Sequence, residues 1–268
     1  MNNIYAYSHI GNSRANQEDN FFIGKGKYLS PSDRDAMSGK RRCYVDTHYV
    51  NEGTCCFVSD GMGGHSSGEV ASLFVAQYLD ANFERLISGC QEDKEYIKYF
   101  VKELNDEFCQ VAKREMDNCD MGATLCGIVS FNRKVLCINA GDSRAYAVKN
   151  GNIQQITVDN TEGQRLVGLG LLTEEEVKDF PKRKAIYKYI GKEVELIPDI
   201  YEINDVEKGT CLLLCSDGLT DALSSEEILE IMNKQYISTL DKGKFLVEIA
   251  VEKNKDVGDN ITLIIIEY

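Results

Sequence analysis

A buried strand with an acidic end is predicted by the stretch Thr54-Cys55-Cys56-Phe57-Val58-Ser59-Asp60-Gly61. Two later apolar runs end in the same way, at Asp142 and at Asp217. A further aspartate, Asp259, stands just before the last apolar run of the chain. The same arrangement of a strand with an aspartate at one end therefore occurs repeatedly in one short sequence.

An acidic pair, Glu18 and Asp19, also precedes an early strand-like stretch. Each of these features has an ordinary explanation by itself, because Asp-Gly is a common turn pair and acidic residues are frequent in solvated loops. Turns alone explain poorly why all of them stand at strand ends. Strand ends can meet at one edge of a sheet, and carboxylates gathered there repel each other unless a cation neutralises them.

The available side chains indicate which metal such a site would take. The chain has three histidines, and no two of them have the spacing of metal ligands. A site built from oxygen atoms suits Mg²⁺ or Mn²⁺ rather than zinc or copper. Two such ions could hold a water molecule between them, lower its pKa and direct it at a phosphorus atom.

Other phosphate and hydrolase chemistries lack their motifs. The sequence has no Cys-x5-Arg of cysteine-dependent phosphatases, no G-x-x-x-x-G-K-[ST] loop and no G-x-S-x-G elbow. Six of the ten cysteines lie in apolar, strand-like runs and no C-x-x-C pair occurs. We therefore expect reduced thiols that act as small hydrophobic side chains, as is typical of the cytoplasm.

The composition is that of an ordinary globular protein, with 43% hydrophobic and 27% charged residues among 268. The net charge of −13 argues against a nucleic-acid or membrane partner, since both present negative charge. No apolar run approaches the ~18 residues that span a bilayer, and the first residues lack the pattern of a signal peptide. We expect a cytoplasmic monomer.

Periodicity predicts strands that alternate with pairs of helices, an arrangement that favours antiparallel sheets covered by helices. No linker is evident, which predicts a single domain over residues 1–268. The polar segment 24–53 carries a basic cluster, and a solvated loop is favoured there over a binding role. The principal helical and hairpin predictions cover residues 67–87, 93–116, 124–140 and 161–191.

The order of these motifs resembles the metal-dependent Ser/Thr protein phosphatases of the 2C type, particularly the bacterial branch. Each motif is weak alone, but the ordered set spans nearly the whole chain. The motifs that carry the resemblance are Gly11–Asp19, Asp60–His65, Met121–Thr124, Gly141–Tyr146, Cys215–Asp221 and Asp259–Thr262.

The resemblance implies an α+β fold, a four-layer αββα sandwich of two antiparallel sheets flanked by helices. It implies hydrolysis of phosphoserine and phosphothreonine by a metal-activated water, with no covalent intermediate. It also implies Mn²⁺ or Mg²⁺ as cofactor, with two core ions and a third, weaker one. The partners would be phosphoproteins, among them a Ser/Thr kinase.

The same resemblance assigns roles at the metal site. Asp60 would bridge two ions and Gly61 would offer its carbonyl oxygen. Asp217 and Asp259 would complete the coordination of one ion. Glu18 would coordinate the other ion, directly or through water.

The remaining roles lie around these residues. Asp19 would support Glu18, and Asp142 would hold the third ion together with Asp217. Arg14 would clamp the substrate phosphate. Residues 161–191 would form a mobile flap beside the site.

The chain departs from the family pattern at three places. Met62 stands where animal members carry a histidine that protonates the leaving group, so the general acid is unassigned, and His65 is expected to be a structural turn residue. Asp159-Asn160-Thr161 replaces a histidine-containing entry to the flap. The segment 24–53 is longer than the usual bacterial connection.

Two alternatives remain open at this point. One is a catalytically weak relative that binds phosphoproteins or partners, although every expected metal aspartate is present. The other is a two-metal nuclease, against which the net charge of −13 argues, because its substrate is a polyanion.

Overall fold

The computed structural model describes residues 2–37, 44–50, 53–63, 67–115, 121–131, 133–204, 206–254 and 258–268. The strands within these ranges are β1 Asn2–His9, β2 Asp19–Phe22, β3 Tyr44–Val50, β4 Thr54–Gly63, β5 Met121–Ala123, β6 Leu125–Phe131, β7 Lys134–Ala140, β8 Arg144–Lys149, β9 Asn152–Gln155, β10 Asp199–Ile203, β11 Cys211–Cys215 and β12 Ile261–Glu267. The helices are α1 Pro31–Met37, α2 Ser67–Ala81, α3 Phe83–Glu92, α4 Tyr96–Glu115, α5 Glu162–Gly168, α6 Asp217–Thr220, α7 Ser225–Met232 and α8 Thr239–Lys253.

The strands form two antiparallel sheets. The first has the order β3-β1-β12-β11-β8-β9, and the second has the order β10-β7-β6-β4-β2, with β5 paired to the end of β4. The strand nearest the N-terminus, β1, pairs along its length with the last strand, β12, from Asn3 opposite Glu267 to His9 opposite Ile261.

Both faces of the central strands are buried, which explains their continuous apolar sequences. In β12, Ile264 and Ile266 pack between the two sheets. Their neighbours Leu263 and Ile265 point the other way and pack under α7 and α8. The second sheet is covered on its outer face by α2, α3 and α4. The result is the four-layer αββα arrangement that the resemblance implied, and that expectation is confirmed.

Several local predictions differ from the structure. The helix expected over 67–87 is two helices, because Asn82 leaves the helical conformation and its side chain bonds the carbonyl of Tyr78 at 2.9 Å. The segment 161–191 contains only α5 and a short 3-10 turn at Glu176–Asp179. The remainder of that segment is irregular, since its turn residues and exposed charges do not supply a continuous apolar face.

The solvated loop expected over 24–53 is wrong for the described part of that segment. It contains α1 and then β3, which adds a strand to the edge of the first sheet beside β1. Leu29 and Met37 are buried between the sheets, and Arg34 is buried as well. Of the basic cluster, Lys40, Arg41 and Arg42 lie outside the described residues, as does His65.

No helix in the described ranges combines the length and apolar character that crossing a membrane requires.

Candidate metal centre

The sheet topology brings the acidic strand ends to one edge of the sandwich. β4 and β7 run in the same direction because each pairs antiparallel with β6. β1 and β11 likewise share a direction because each pairs antiparallel with β12. β2 begins at Asp19, which lies opposite Asp60 in the pairing of β2 with β4. The carboxylates that are far apart in sequence therefore meet at this edge.

The predicted site residues occupy the ends of these elements. Asp60 and Gly61 lie on β4, which continues through both of them to Gly63. Asp142 follows β7, and Asp217 is the first residue of α6, directly after β11. The other predicted residues lie in the connections before β2 and β12: Arg14, Glu18 and Asp259.

Hydrogen bonds between the two sheets fix the backbone of the acidic pair. Asn260 accepts from the backbone N–H of Glu18 at 2.7 Å and donates to the carbonyls of Ile10 at 2.8 Å and Asn16 at 3.0 Å. The Ser216 hydroxyl donates to Asp19 Oδ2 at 2.7 Å. Neither Asn260 nor Ser216 was predicted to have a role in the site. Their only signal was a polar residue beside an aspartate at a strand end.

A second set of hydrogen bonds supports Asp60. Its backbone N–H donates to Thr124 Oγ1 at 2.9 Å, and the Ser59 hydroxyl donates to the Thr124 carbonyl at 2.8 Å. Thr124 Oγ1 also lies 2.7 Å from Ser143 Oγ, so a short chain of buried hydroxyls joins Asp60 to the residue after Asp142. Met62 continues β4 opposite Gly122.

Two glycines let the start of α2 approach the end of β4. A Cβ on Gly61 would lie 1.9 Å from the Gly68 carbonyl oxygen. A Cβ on Gly68 would lie 2.5 Å from the Gly61 carbonyl oxygen and 3.1 Å from Cδ of Glu18. The Gly61 carbonyl and the Glu18 carboxyl, both predicted ligands, therefore lie on the same side of Gly68. Gly68 was not among the predicted site residues.

Burial and crowding raise the pKa values of the gathered carboxyls. Burial raises the pKa of Asp19 to about 7, and the neighbouring Asp259 and Asp217 add to this shift. Burial raises the pKa of Asp60 well above its ordinary value, and Asp19, Asp217 and Asp142 raise it further. The Asp60 side chain acts in the opposite direction on its neighbour Asp217, whose pKa it lowers.

The pKa shifts of the other three carboxyls have the same origin. Burial raises the pKa of Asp142 to about 7, with Asp217 as the next contribution. Burial raises the pKa of Asp217 to about 6, and Asp221 and Asp259 contribute next. Burial also raises the pKa of Glu18, against the opposing influence of Arg14.

Arg14 lies directly on the acidic cluster. Its Nη2 donates to Asp259 Oδ2 at 2.6 Å, and its Nη1 lies 3.6 Å from Glu18 Oε2. The Arg14 side chain is 47% exposed, so its guanidinium spans two predicted metal ligands while still facing solvent. The structure thus brings Arg14 to the site, but in contact with carboxylates.

These residues fit a divalent cation in their chemistry. Asp19 Oδ1 and Asp217 Oδ1 are buried and have no hydrogen-bond partner among the described residues. Buried carboxylate oxygens without donors, in a group whose members raise each other's pKa, are the donor set that Mg²⁺ and Mn²⁺ require. Within the described ranges no three His, Cys or acidic side chains have the geometry of a complete metal site.

A cavity of ≈ 160 Å³ separates Asp142 and Asp217 from the segment 161–191. Lys184 reaches across it to pair with Asp221, and its charge opposes the raised pKa values of Asp142 and Asp217.

Two contacts anchor the entry to this segment. Arg144 forms a bidentate ion pair with Asp159, whose oxygens lie 2.9 and 3.1 Å from Nε. Asn160 exchanges hydrogen bonds with Gly141, the residue before Asp142. The unusual sequence at the flap entry therefore ties the flap to the acidic edge.

The raised pKa values predict an unusual pH dependence of stability. Burial raises the pKa values of Asp19 and Asp142 from their ordinary value of 3.8 to about 7, so the folded state holds more protons than the unfolded state between these two values. Stability in EDTA should therefore fall as pH rises from about 4 to about 7, by about 1.4 kcal/mol per pH unit for each proton retained. Urea unfolding at several pH values measures this. An Asp142→Asn variant should show a shallower fall, and a wild-type stability that rises over this range would contradict the electrostatic account.

A methyl group at Gly68 should disturb the two ligand groups beside it. We expect Gly68→Ala to weaken Mn²⁺ binding at least tenfold, since the added carbon would displace the Gly61 carbonyl. Isothermal titration calorimetry gives the affinity directly. The matched control is Gly168→Ala, where an added Cβ meets no atom within 4 Å. Equal affinities in the two variants would show that the Gly61 carbonyl is not a ligand.

The comparisons with known proteins agree with the family resemblance and with the fold. A family model described as Protein phosphatase 2C matches residues 43–252. Protein phosphatase PhpP of Streptococcus pneumoniae is 32% identical over 226 residues, which cover 83% of this chain and 89% of that protein.

Two solved structures are also similar. The serine/threonine phosphatase of S. agalactiae superposes with a TM-score of 0.82 at 25% identity, covering 100% of this chain and 99% of that one. The catalytic domain of the serine threonine protein phosphatase PstP, in complex with 2 manganese ions, superposes with a TM-score of 0.72 at 28% identity, with coverage of 100% and 99%. By its motifs, its fold and these matches, the chain belongs to the protein phosphatase 2C family.

Proposed function

We propose that this protein is a metal-dependent phosphatase that removes phosphate from phosphoserine and phosphothreonine in proteins. The observation that carries the proposal is the gathering of Asp60, Asp142, Asp217 and Asp259 at one edge of the sandwich, beside Arg14. Family membership and relatives that are protein phosphatases support the reaction class.

The acidic edge would hold Mn²⁺ or Mg²⁺, because its donors are carboxylate and carbonyl oxygens. We assign Asp60 to both core ions, with Asp217 and Asp259 on one side and Glu18 with the Gly61 carbonyl on the other. Asp142 and Asp217 would hold a third, weaker ion. The 2 manganese ions of the PstP structure support two as the core number. When bound, such ions supply an acidified water and positive charge for the phosphoryl group.

Arg14 is the residue that we assign to the substrate phosphate. Its planar group has donors on both terminal nitrogens, which match the spacing of two phosphate oxygens. In the structure these donors face Glu18 and Asp259. When substrate binds, Arg14 would exchange a carboxylate oxygen for a phosphate oxygen as its hydrogen-bond acceptor. Because the guanidinium already lies at the acidic edge, this exchange needs no large movement of the side chain.

The protein chain also defines the approach of the substrate. The segment 161–191 forms one wall of the cavity next to Asp142, and Arg144 and Asn160 tether its entry. We propose that this flap contacts the peptide around the phosphorylated residue. Met62 has no transferable proton, so another group must protonate the leaving alkoxide.

We propose one phosphatase domain for the whole chain, supported by the pairing of β1 with β12. Unpaired thiols at all described cysteines support a reducing, cytoplasmic setting. The net charge of −13 supports phosphoproteins rather than nucleic acid or membrane surfaces as partners. We also propose that the protein is a monomer and that a Ser/Thr kinase is the enzyme whose action it reverses.

Removing the bridging charge should stop the reaction without unfolding the protein. Asp60→Asn should lower kcat on a phosphothreonine peptide by at least ~100-fold at saturating Mn²⁺, because a neutral amide is a poor ligand for two divalent ions. The fold should persist, since the change also relieves repulsion. Phosphate release and circular dichroism measure both effects. Asp106→Asn, at a surface ion pair with Lys102, is the control and should be active. Turnover by Asp60→Asn near the wild-type rate would exclude the proposed site.

Arg14→Lys keeps the charge but removes the fork of donors. If Arg14 binds phosphate, kcat/KM should fall at least ~10-fold, or about 1.4 kcal/mol, while Mn²⁺ affinity stays near that of the wild type. The matched control is Arg85→Lys, which lies outside the flap and whose side chain is 41% exposed and also paired with a carboxylate, that of Glu103. Unchanged kinetics, or a defect confined to Mn²⁺ binding, would remove Arg14 from the substrate site.

A further inference from the structure

The segment between β2 and β4 contributes a buried arginine to the back of the acidic edge. Arg34 belongs to α1 and is 8% exposed. Within the described residues its guanidinium makes no ion pair at contact distance, and its hydrogen bonds go to two backbone carbonyls and one hydroxyl. A charged side chain in this environment is costly unless its contacts compensate for lost hydration. The burial of the Arg34 charge therefore needs an explanation, and the solvated loop expected from the sequence does not provide one.

The hydrogen bonds of Arg34 converge on the acidic pair before and within β2. Nη2 donates to the carbonyl of Asp19 at 3.1 Å and to Ser72 Oγ at 2.8 Å. The Ser72 hydroxyl in turn donates to the carbonyl of Glu18. Arg34 thus holds one acidic residue directly and the other through Ser72.

The same guanidinium also holds the start of α2. Nη1 donates to the carbonyl of Glu69, in the first turn of that helix. This turn contains Gly68, whose Cα lies against the Gly61 carbonyl. The Glu18 carbonyl accepts a further hydrogen bond from the N–H of Gly61 at 3.2 Å. One side chain therefore connects two backbone segments, the acidic pair and the start of α2, and the Glu18 carbonyl links them to Gly61 on β4.

The short helix that carries Arg34 is firmly attached to the core. Leu29 and Met37, on either side of Arg34, are buried between the two sheets. Asn20, in β2, binds both the N–H and the carbonyl of Leu29, at 2.9 and 3.1 Å. Ser30 and Asp33 cap the first turn of α1. The arginine is therefore presented by a rigid element, as a positioning role requires.

We propose that Arg34 is a positioning residue of the metal centre, which holds the backbone of Glu18 and Asp19 so that their carboxylates meet Asp60. The inference rests on the proposed function, because it takes Glu18 and its neighbours as the residues that hold the ions. It gives the long 24–53 segment a role in the site, through a side chain that touches neither substrate nor metal.

The alternative is that Arg34 only stabilises the packing of α1. The two roles differ in what they predict for metal affinity. Loss of packing lowers stability and leaves the affinity of the folded protein for Mn²⁺ unchanged. Loss of positioning lets the Glu18 and Asp19 backbone move, which weakens binding even in fully folded protein.

The experiment compares Arg34→Met with Met37→Ala. Methionine retains much of the volume of arginine but donates no hydrogen bond. Met37→Ala removes a buried side chain from the same helix without touching the acidic pair. Mn²⁺ affinity is measured by calorimetry and stability by urea unfolding in EDTA, for both variants and the wild type. We expect Arg34→Met to bind Mn²⁺ at least tenfold more weakly, and Met37→Ala to bind within twofold of wild type despite a lower unfolding midpoint.

A second variant keeps the inference testable if Arg34→Met does not fold. Ser72→Ala breaks the link to the Glu18 carbonyl from the α2 side and leaves α1 intact. It should also weaken Mn²⁺ binding, by severalfold. Affinity equal to or tighter than wild type in the folded Arg34 or Ser72 variants would overturn the proposal. Failure of the wild type itself to bind Mn²⁺ would instead refute the proposed function.

Discussion

The repulsion among the carboxylates at one edge of the sandwich is the interaction on which the rest of the structure depends. Asp19, Asp60, Asp142 and Asp217 are held close enough, and with little enough water, that burial and mutual repulsion raise every one of their pKa values. Such a group is unfavourable for folding by itself. It persists because each acidic residue lies at a strand end whose position is set by apolar pairing, and because Asn260, Thr124 and Ser216 fix the connecting backbone. The apolar pairing and these hydrogen bonds therefore offset the unfavourable free energy of the carboxylate cluster, which becomes useful only once divalent cations neutralise it.

Three cationic side chains of the described chain face this cluster from different directions. Arg14 lies in front and contacts Glu18 and Asp259. Lys184 reaches in from the flap and pairs with Asp221. Arg34 lies behind, and burial lowers its pKa to about 10, so it remains charged at neutral pH. The first two are exposed enough to exchange partners, whereas Arg34 is held by backbone acceptors. We assign the exposed arginine to the substrate and the buried one to the framework for this physical reason.

The sequence predicted the parts of the protein whose signals are local. Apolar runs that end in aspartate marked β4, β7 and β11, and the order of motifs led to the four-layer fold. Ser224 and Glu227 form a capping box at the start of α7, a contact between residues only three apart. The parts that were missed depend on contacts distant in sequence. Nothing local distinguishes Arg34, in a polar segment, from a solvated arginine, because its burial comes from β2 and α2. The break at Asn82 has a local cause, the bond from its side chain to the Tyr78 carbonyl, whereas the proximity of Gly68 to Gly61 follows only from the pairing of elements.

Counting the protons released when Mn²⁺ binds tests the central claim most directly. Calorimetric titrations at pH 6.5, in buffers of different ionisation enthalpy, give the number of ions bound and the number of protons displaced. Asp142 and Asp217, whose pKa values lie at about 7 and about 6, are protonated in part at this pH and must lose those protons to become ligands. We expect at least two ions to bind, with release of about one proton or more at pH 6.5 and close to none at pH 8.5. Binding of Mn²⁺ without proton release at pH 6.5, or no binding of Mn²⁺, would contradict the account.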